Sequence, residues 1–468
     1  MKCLLPLLVL TAVARANDAP NVLFVMADDL TAEALACYGN ADCATPNLDR
    51  LAGRGLRFTR AYCQYPVCGP SRAAVMSGCY PGALGIMNNG GAQRFTTVMA
   101  DRPSLAQHFS KHGWHTARVG KIYHMRVPGD ITAGVDGPDH AASWDERHNA
   151  PGLEWMTPGA FEHLSHERLK WLPERHYGLG FGTAFYAVRT FGDGSDQADV
   201  RAADKAIELL EGFGDRPFFL AVGFVRPHVP LVAPSRLFAR YDADGLRLAA
   251  GVAEDQADIP KAGISLNTRR IGAADDPAKQ RRILQAYYAS VTFVDEQVGR
   301  LLDALDALGL AEDTLVVFSS DHGYHLGEHD LWQKMSLHEE SARIPLLVAG
   351  PGIPVGERDA LVEQIDLFPT LAALAGLDIP PHCQGADLGR VLTDPTAVVR
   401  EGAFCVKAGA QLWRTKQWAY LRYDEGGAEL YDMRADPGQF TNLASERLDV
   451  VTALDTALEA KLTSLEPR

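Results

Sequence analysis

At 468 residues the chain exceeds one typical hydrophobic core, and a large domain followed by a small C-terminal one is the simplest division. Its formal net charge of −14 excludes a broad basic surface for nucleic acid or long polyanions. An anionic substrate must then be drawn in by local cations in a cleft, which favours a pocket for one terminal unit over a groove for a long chain.

Residues 1–16 read as a secretory signal peptide. Lys2 supplies a positive start, an apolar stretch runs from Cys3 to Ala14, and Ala14-Arg15-Ala16 has the small-x-small form of a cleavage site. The stretch is too short to span a bilayer, and no later apolar run is long enough. The expectation is an exported protein, periplasmic or secreted, with no membrane insertion. No Asn-x-Ser/Thr sequon occurs, which favours a bacterial source.

Asn21 to Met26 is a continuous apolar run that reads as a buried strand, ending at Asp28-Asp29. Pro70 to Met76 reads as the start of a helix, with Pro70 in its first turn and Gly78 as a stop, so that Cys68 lies just before a helix N-terminus. Asp199 to Phe213 carries apolar residues at helical spacing. Phe218 to Phe224 is a second buried run, ending at Arg226-Pro227-His228. Ile283 to Leu308 is a longer helix. Thr314 to Ser319 is a third run, ending just before Asp321-His322, and Leu346 to Ala349 is a fourth. Beyond Glu401 come short strand-like pieces (Ala403 to Val406, Trp418 to Tyr423, Glu429 to Asp432) and a final helix over about Ser445 to Leu465. Helix–strand alternation predicts an α/β fold with a largely parallel central sheet, followed by a small antiparallel sheet with a covering helix.

Polar groups gather past the C-terminal ends of three separate strands, where open α/β sheets bind ligands. Asp28, Asp29 and Asp321 are hard oxygen donors suited to Ca²⁺ or Mg²⁺. Without a cation such a cluster would repel itself and raise some of its pKa values. An anion held at residue 68 would benefit from the free N–H groups and dipole of the helix that follows.

Cys68-Gly69-Pro70-Ser71-Arg72 resembles the signature of type I, formylglycine-dependent sulfatases. Asn21 to Leu30 looks like that family's first metal-binding strand, Thr45 to Ala52 like the helix after it, and Gly120 to His124 like its Gly-Lys segment. Ser320 to His329 looks like the second metal segment, and Asp366 to Leu371 and Leu430 to Asp432 like later landmarks. The resemblance covers nearly the whole mature chain and is greatest to the iduronate-2-sulfatase branch, over Pro217 to Pro230, Tyr287 to Leu308 and Gly323 to Pro351.

The resemblance implies an alkaline-phosphatase-like sulfatase fold, with a catalytic domain over 17–390 and a small C-terminal subdomain over 391–468. It implies that a formylglycine-generating enzyme converts Cys68 to an aldehyde whose hydrate attacks sulfur. Asp28, Asp29, Asp321 and His322, with the modified residue 68, would hold Ca²⁺ in preference to Mg²⁺; alternatively His322 hydrogen-bonds the nucleophile. Arg72 would fix the hydrate, Lys121 and Lys334 would bind sulfate oxygens, His124 would help expel sulfate, and His228 would protonate the departing sugar oxygen. The expected substrate is a sulfated saccharide, a terminal 2-sulfated uronate among the candidates.

Other positions stay open at this level. His325, His329 and Trp332 either line the substrate subsite or shape their loop. Glu339, Glu340 and Arg343 read as structural ion pairs. Met76 to Cys79 and Gln439 depart mildly from the family pattern, and Trp144 to Gly194 matches it little and is expected to shape substrate choice. With Cys3 in the leader and Cys68 reserved for chemistry, six cysteines (Cys37, Cys43, Cys63, Cys79, Cys383 and Cys405) leave both disulfide pairing and free thiols open. A phosphonate or phosphate monoester hydrolase, or a choline sulfatase, of the same superfamily is the alternative enzyme. A non-catalytic sulfated-glycan-binding protein is the alternative of another class.

Overall fold

The computed structural model describes residues 19–166, 170–172, 177–179, 184–249, 255–264, 271–273 and 276–465; the expected signal peptide lies outside them. Eight strands form the central sheet: β1 (Asn21–Asp28), β2 (Gly55–Tyr62), β3 (His115–Gly120), β4 (Glu146–His148), β5 (Phe218–Pro227), β6 (Thr314–Ser320), β7 (Arg343–Ala349) and β8 (Gly356–Glu363). Their order is β8-β2-β7-β6-β1-β5-β3-β4. Every neighbouring pair is parallel except those made by β7, which runs antiparallel to β6 and β2. The fourth apolar run thus lengthens to Arg343–Ala349 and reverses direction, which an apolar run alone does not encode.

β1 shows why the central strands read as unbroken apolar runs. Side chains alternate across a sheet, and both faces of this one are covered. Leu23 and Val25 join the layer holding Tyr287, Val291 and Val294 of the long helix, while Val22, Phe24 and Met26 join the layer holding Ala73, Val75 and Met76. The helices that matter here are α1 (Cys68–Ser77), α2 (Ala198–Gly212) and α3 (Pro277–Ala307). α3 starts as a capped helix should: Asp276 accepts from the Lys279 N–H at 2.9 Å and Pro277 occupies the first turn. α1 begins two residues earlier than expected, so Cys68 opens the helix and Val67 is its N-cap.

The C-terminal sheet is an antiparallel meander of β9 (Gly402–Lys407), β10 (Ala410–Thr415), β11 (Trp418–Tyr423) and β12 (Ala428–Asp432). α4 (Leu448–Ser464) covers it, packing Leu454 and Leu458 against Phe404 and Tyr420. β10 was not expected. Its sequence, Ala-Gln-Leu-Trp-Arg-Thr, carries the weak alternation of a half-exposed strand, and its cross-strand partners decide its conformation. Among the described residues all seven cysteines are free thiols, and no helix is long and apolar enough to cross a membrane.

Candidate active site

Four adjacent strands, β6, β1, β5 and β3, deliver side chains to one point beyond their carboxyl ends. β1 ends in Asp28, and Asp29 follows with a left-handed backbone (φ 64°). That strained turn sends both carboxylates inward. It is held on both sides, since the Asp29 N–H donates to Asp321 Oδ1 at 3.1 Å and the Asp29 carbonyl accepts from the Tyr287 hydroxyl at 2.7 Å. β6 leads into Asp321 and His322, whose Nδ1 lies 2.9 Å from the Gly323 carbonyl, leaving Nε2 for the site. β3 leads into Lys121. A side chain at Gly223 of β5 would sit 2.1 Å from the Lys121 carbonyl, so only glycine allows this approach.

Residue 68 stands at the centre. Its Sγ lies 3.2 Å from Lys334 Nζ, 3.4 Å from His322 Nε2 and 3.9 Å from Asp29 Oδ1. Lys334 is 2.5 Å from Asp29 Oδ1. Arg72, one turn along α1 and wholly buried, donates from Nε to Asp321 Oδ2 at 2.9 Å and from Nη2 to Asp28 Oδ1 at 3.2 Å. Lys121 pairs with Asp28 Oδ2. His228 Nε2 is 3.8 Å from Asp29 Oδ2, and its Nδ1 is 2.6 Å from the Val229 carbonyl. His124 is buried, and among the described residues its Nδ1 has no hydrogen-bond partner. The structure therefore brings together Asp28, Asp29, Cys68, Arg72, Lys121, His228, Asp321, His322 and Lys334, with His124 coupled electrostatically to Lys121 and Asp28.

The electrostatics follow from burial and mutual pairing. Burial pushes Asp28 up, but Lys121, His228 and Arg72 outweigh it and hold the carboxyl well below its usual range. Asp29 is lowered likewise, against burial, by His228, Lys334 and His322. Asp321 is raised, because burial there exceeds the pull of His322 and Arg72. Burial drives the Cys68 thiol far up despite Lys334, so it stays protonated and is a poor nucleophile as cysteine. His228 is pushed down to about 4 by burial, against the pull of Asp29.

Oxygens of Asp28, Asp29 and Asp321 lie within 4.8 Å of one another, as do ligand atoms of Asp29, Cys68 and His322. Three hard carboxylates, two from the end of β1 and one from the end of β6, fit a divalent cation of the Ca²⁺/Mg²⁺ class.

Several contributors were not singled out in the sequence. Tyr287 reads as a core residue of a helix. Ser71 donates to the Asp321 carbonyl and to Gln364 Oε1, while Gln364 donates to the Ser320 carbonyl at 2.7 Å. No spacing signal marks these groups, because they act across 44 to 293 residues. His325, His329 and Trp332 are fully buried. His329 pairs with Asp255 at 2.5 Å, and Trp332 stacks edge-on against Phe185. They shape the loop that carries Lys334. Glu339 pairs with Arg414 at 2.6 Å and Arg343 at 3.6 Å, while Glu340 lies 3.6 Å from His329.

The sulfatase family model matches residues 20–377, and a model of the C-terminal part of N-sulphoglucosamine sulphohydrolase matches residues 327–467. A choline-sulfatase of Rhizobium meliloti is 32% identical over 91% of this chain and 82% of its own. Human iduronate 2-sulfatase is 31% identical over 78% of this chain and 71% of its own. In structure, a phosphonate monoester hydrolase of Agrobacterium radiobacter superposes with a TM-score of 0.75 at 24% identity, covering 95% of both chains. The protein accordingly belongs to the sulfatase family and is a sulfuric ester hydrolase.

Proposed function

We propose that the protein removes sulfate from a terminal sulfated sugar, with residue 68 acting as formylglycine and Ca²⁺ held by Asp28, Asp29, Asp321 and His322. The observation that carries this reading is the setting of Cys68. It opens α1, is buried, lies within 3.4 Å of Lys334 and His322, and is inert as a thiol. Its sulfur marks where the oxygens of the converted residue would sit. That residue would supply, as its hydrate, an oxygen nucleophile for sulfur, and the cation would supply Lewis-acid polarisation of a sulfate oxygen.

The transferring sulfuryl group spreads negative charge over its oxygens, much as a phosphoryl group does. Lys121, Lys334 and Arg72 are fixed cations aimed at that charge, and the α1 N-terminus adds to them. A sugar alkoxide leaves poorly, so a proton must reach it. His228 keeps Nδ1 engaged with the Val229 carbonyl and presents Nε2 to the site. Bound sulfate brings negative charge beside that ring and favours its protonated form. His124, on the Lys121 side, is assigned to proton removal when sulfate departs. The iduronate 2-sulfatase likeness supports a sulfated uronate, and the negative net charge favours a single sulfated unit over a long polyanion.

The test is sulfate release from a panel of defined sulfated saccharides, choline sulfate and a phosphonate monoester. The protein is co-produced with a formylglycine-generating enzyme, and Cys68→Ala serves as control. Release from a 2-sulfated uronate end, lost in Cys68→Ala, is the expected result. Turnover of choline sulfate or the phosphonate alone would replace the saccharide reading.

A further inference from the structure

The four residues from Pro227 to Pro230 carry His228 but cannot brace themselves. Both prolines lack an N–H, so this stretch has few donors of its own; His228 Nδ1 meets the Val229 carbonyl, but the carbonyls of His228 and Pro230 must be met from outside. The guanidinium of Arg226 meets them. Fully buried, it donates from Nη1 to the carbonyl of His228 at 2.5 Å and to that of Pro230 at 2.6 Å.

Burying that charge needs a partner, and Glu154 provides it. Glu154 is itself buried with a left-handed backbone (φ 53°), pairs with the Arg226 guanidinium, and accepts from the Ala198 N–H at 3.2 Å. Asp199, at the start of α2, fixes the other side by accepting from the N–H groups of Val225 at 2.7 Å and Arg226 at 2.9 Å. A buried ion pair is a costly way to fill space, since apolar side chains of similar size pack as well or better. What apolar residues cannot do is offer one nitrogen to two carbonyls and, in the same plane, a second nitrogen to a carboxylate.

We infer that Arg226 and Glu154 are positioning residues that hold His228 where it delivers its proton. The inference rests on the role proposed for His228. It gives a function to part of the segment Trp144 to Gly194, which the family motifs leave unexplained: Glu154 reaches from it to the catalytic histidine through Arg226.

The experiment is a double-mutant cycle on kcat, using the panel substrate that the wild type hydrolyses. Glu154→Gln is expected to lower kcat by about 10- to 100-fold with KM unchanged, and to cost nothing further in a His228→Ala background. Arg226→Lys keeps the charge and loses the fork; it should behave the same way, and it carries the test if Glu154→Gln fails to fold. An equal loss in both backgrounds would make the pair a support of the fold alone and overturn the inference. No sulfate release by the wild type on any substrate, with residue 68 converted, would instead overturn the function it rests on.

Discussion

The hydroxyl of Tyr287, in the middle of α3, donates a 2.7 Å hydrogen bond to the backbone carbonyl of Asp29. The same oxygen accepts from the Thr31 N–H at 3.1 Å. A single buried phenol thus ties the longest helix to the strained turn that aims two carboxylates. Tyr287→Phe removes both bonds and leaves a buried carbonyl and N–H unpaired, at about 1–3 kcal/mol. Denaturant unfolding should show that loss. A small displacement of the carboxylates should also lower kcat by about 10- to 100-fold.

Lys334 belongs to the sulfate end of the site. It lies 2.5 Å from Asp29 and 3.2 Å from Cys68 Sγ. Lys334→Ala is expected to lower kcat by about 10²–10³, or roughly 3–4 kcal/mol of transition-state stabilisation. Steady-state sulfate release measures it; a change confined to KM would show that Lys334 binds substrate and transition state alike.

Removal of divalent metal should lower the melting temperature, because Asp28, Asp29 and Asp321 then share one buried space without a cation. Returning Ca²⁺ at one hundred times its Kd is expected to restore about 2.7 kcal/mol. In Asp321→Ala that Ca²⁺-dependent rise should shrink sharply. Thermal scans with chelator and with added Ca²⁺ decide the point.

His329 supports the Lys334 loop and gives stability a pH dependence. Burial disfavours its charged form, but Asp255 and Glu340 outweigh that and raise its pKa to about 10. A folded value above the ordinary histidine value of about 6.5 means the contribution is complete below that pH and is lost as pH rises through about 10. Asp255→Asn should therefore lower the melting temperature clearly at pH 6 and much less at pH 10.5. An equal drop at both would show that the pair does not act through charge.

Part of this site is legible in the chain. Asp28, Asp29, Asp321 and His322 follow directly on strands whose apolar runs announce themselves, and Cys68 and Arg72 share one short helix start. Lys334 is different. It lies between Gln333 and Met335, both with left-handed backbones, in a loop folded back by His329 and Trp332, and it reaches Asp29 across 305 residues. Tyr287 reads as one more apolar position on α3 until its hydroxyl meets a carbonyl from another segment. The reversal of β7 and the existence of β10 are likewise set by neighbours.

What the sequence determined by itself was four of the eight central strands, the long helix and the chemical groups at their ends. Local patterning and short motifs are properties of adjacent residues. What only the tertiary structure decided was which distant groups share the buried space. Arg72 is balanced between Asp28 and Asp321, Lys121 pairs with Asp28 and Lys334 with Asp29, and Glu154 reaches His228 through Arg226. The physical reason is that a buried charge demands a partner but does not specify where in the chain that partner lies; only the packing of the sheet and its helices does.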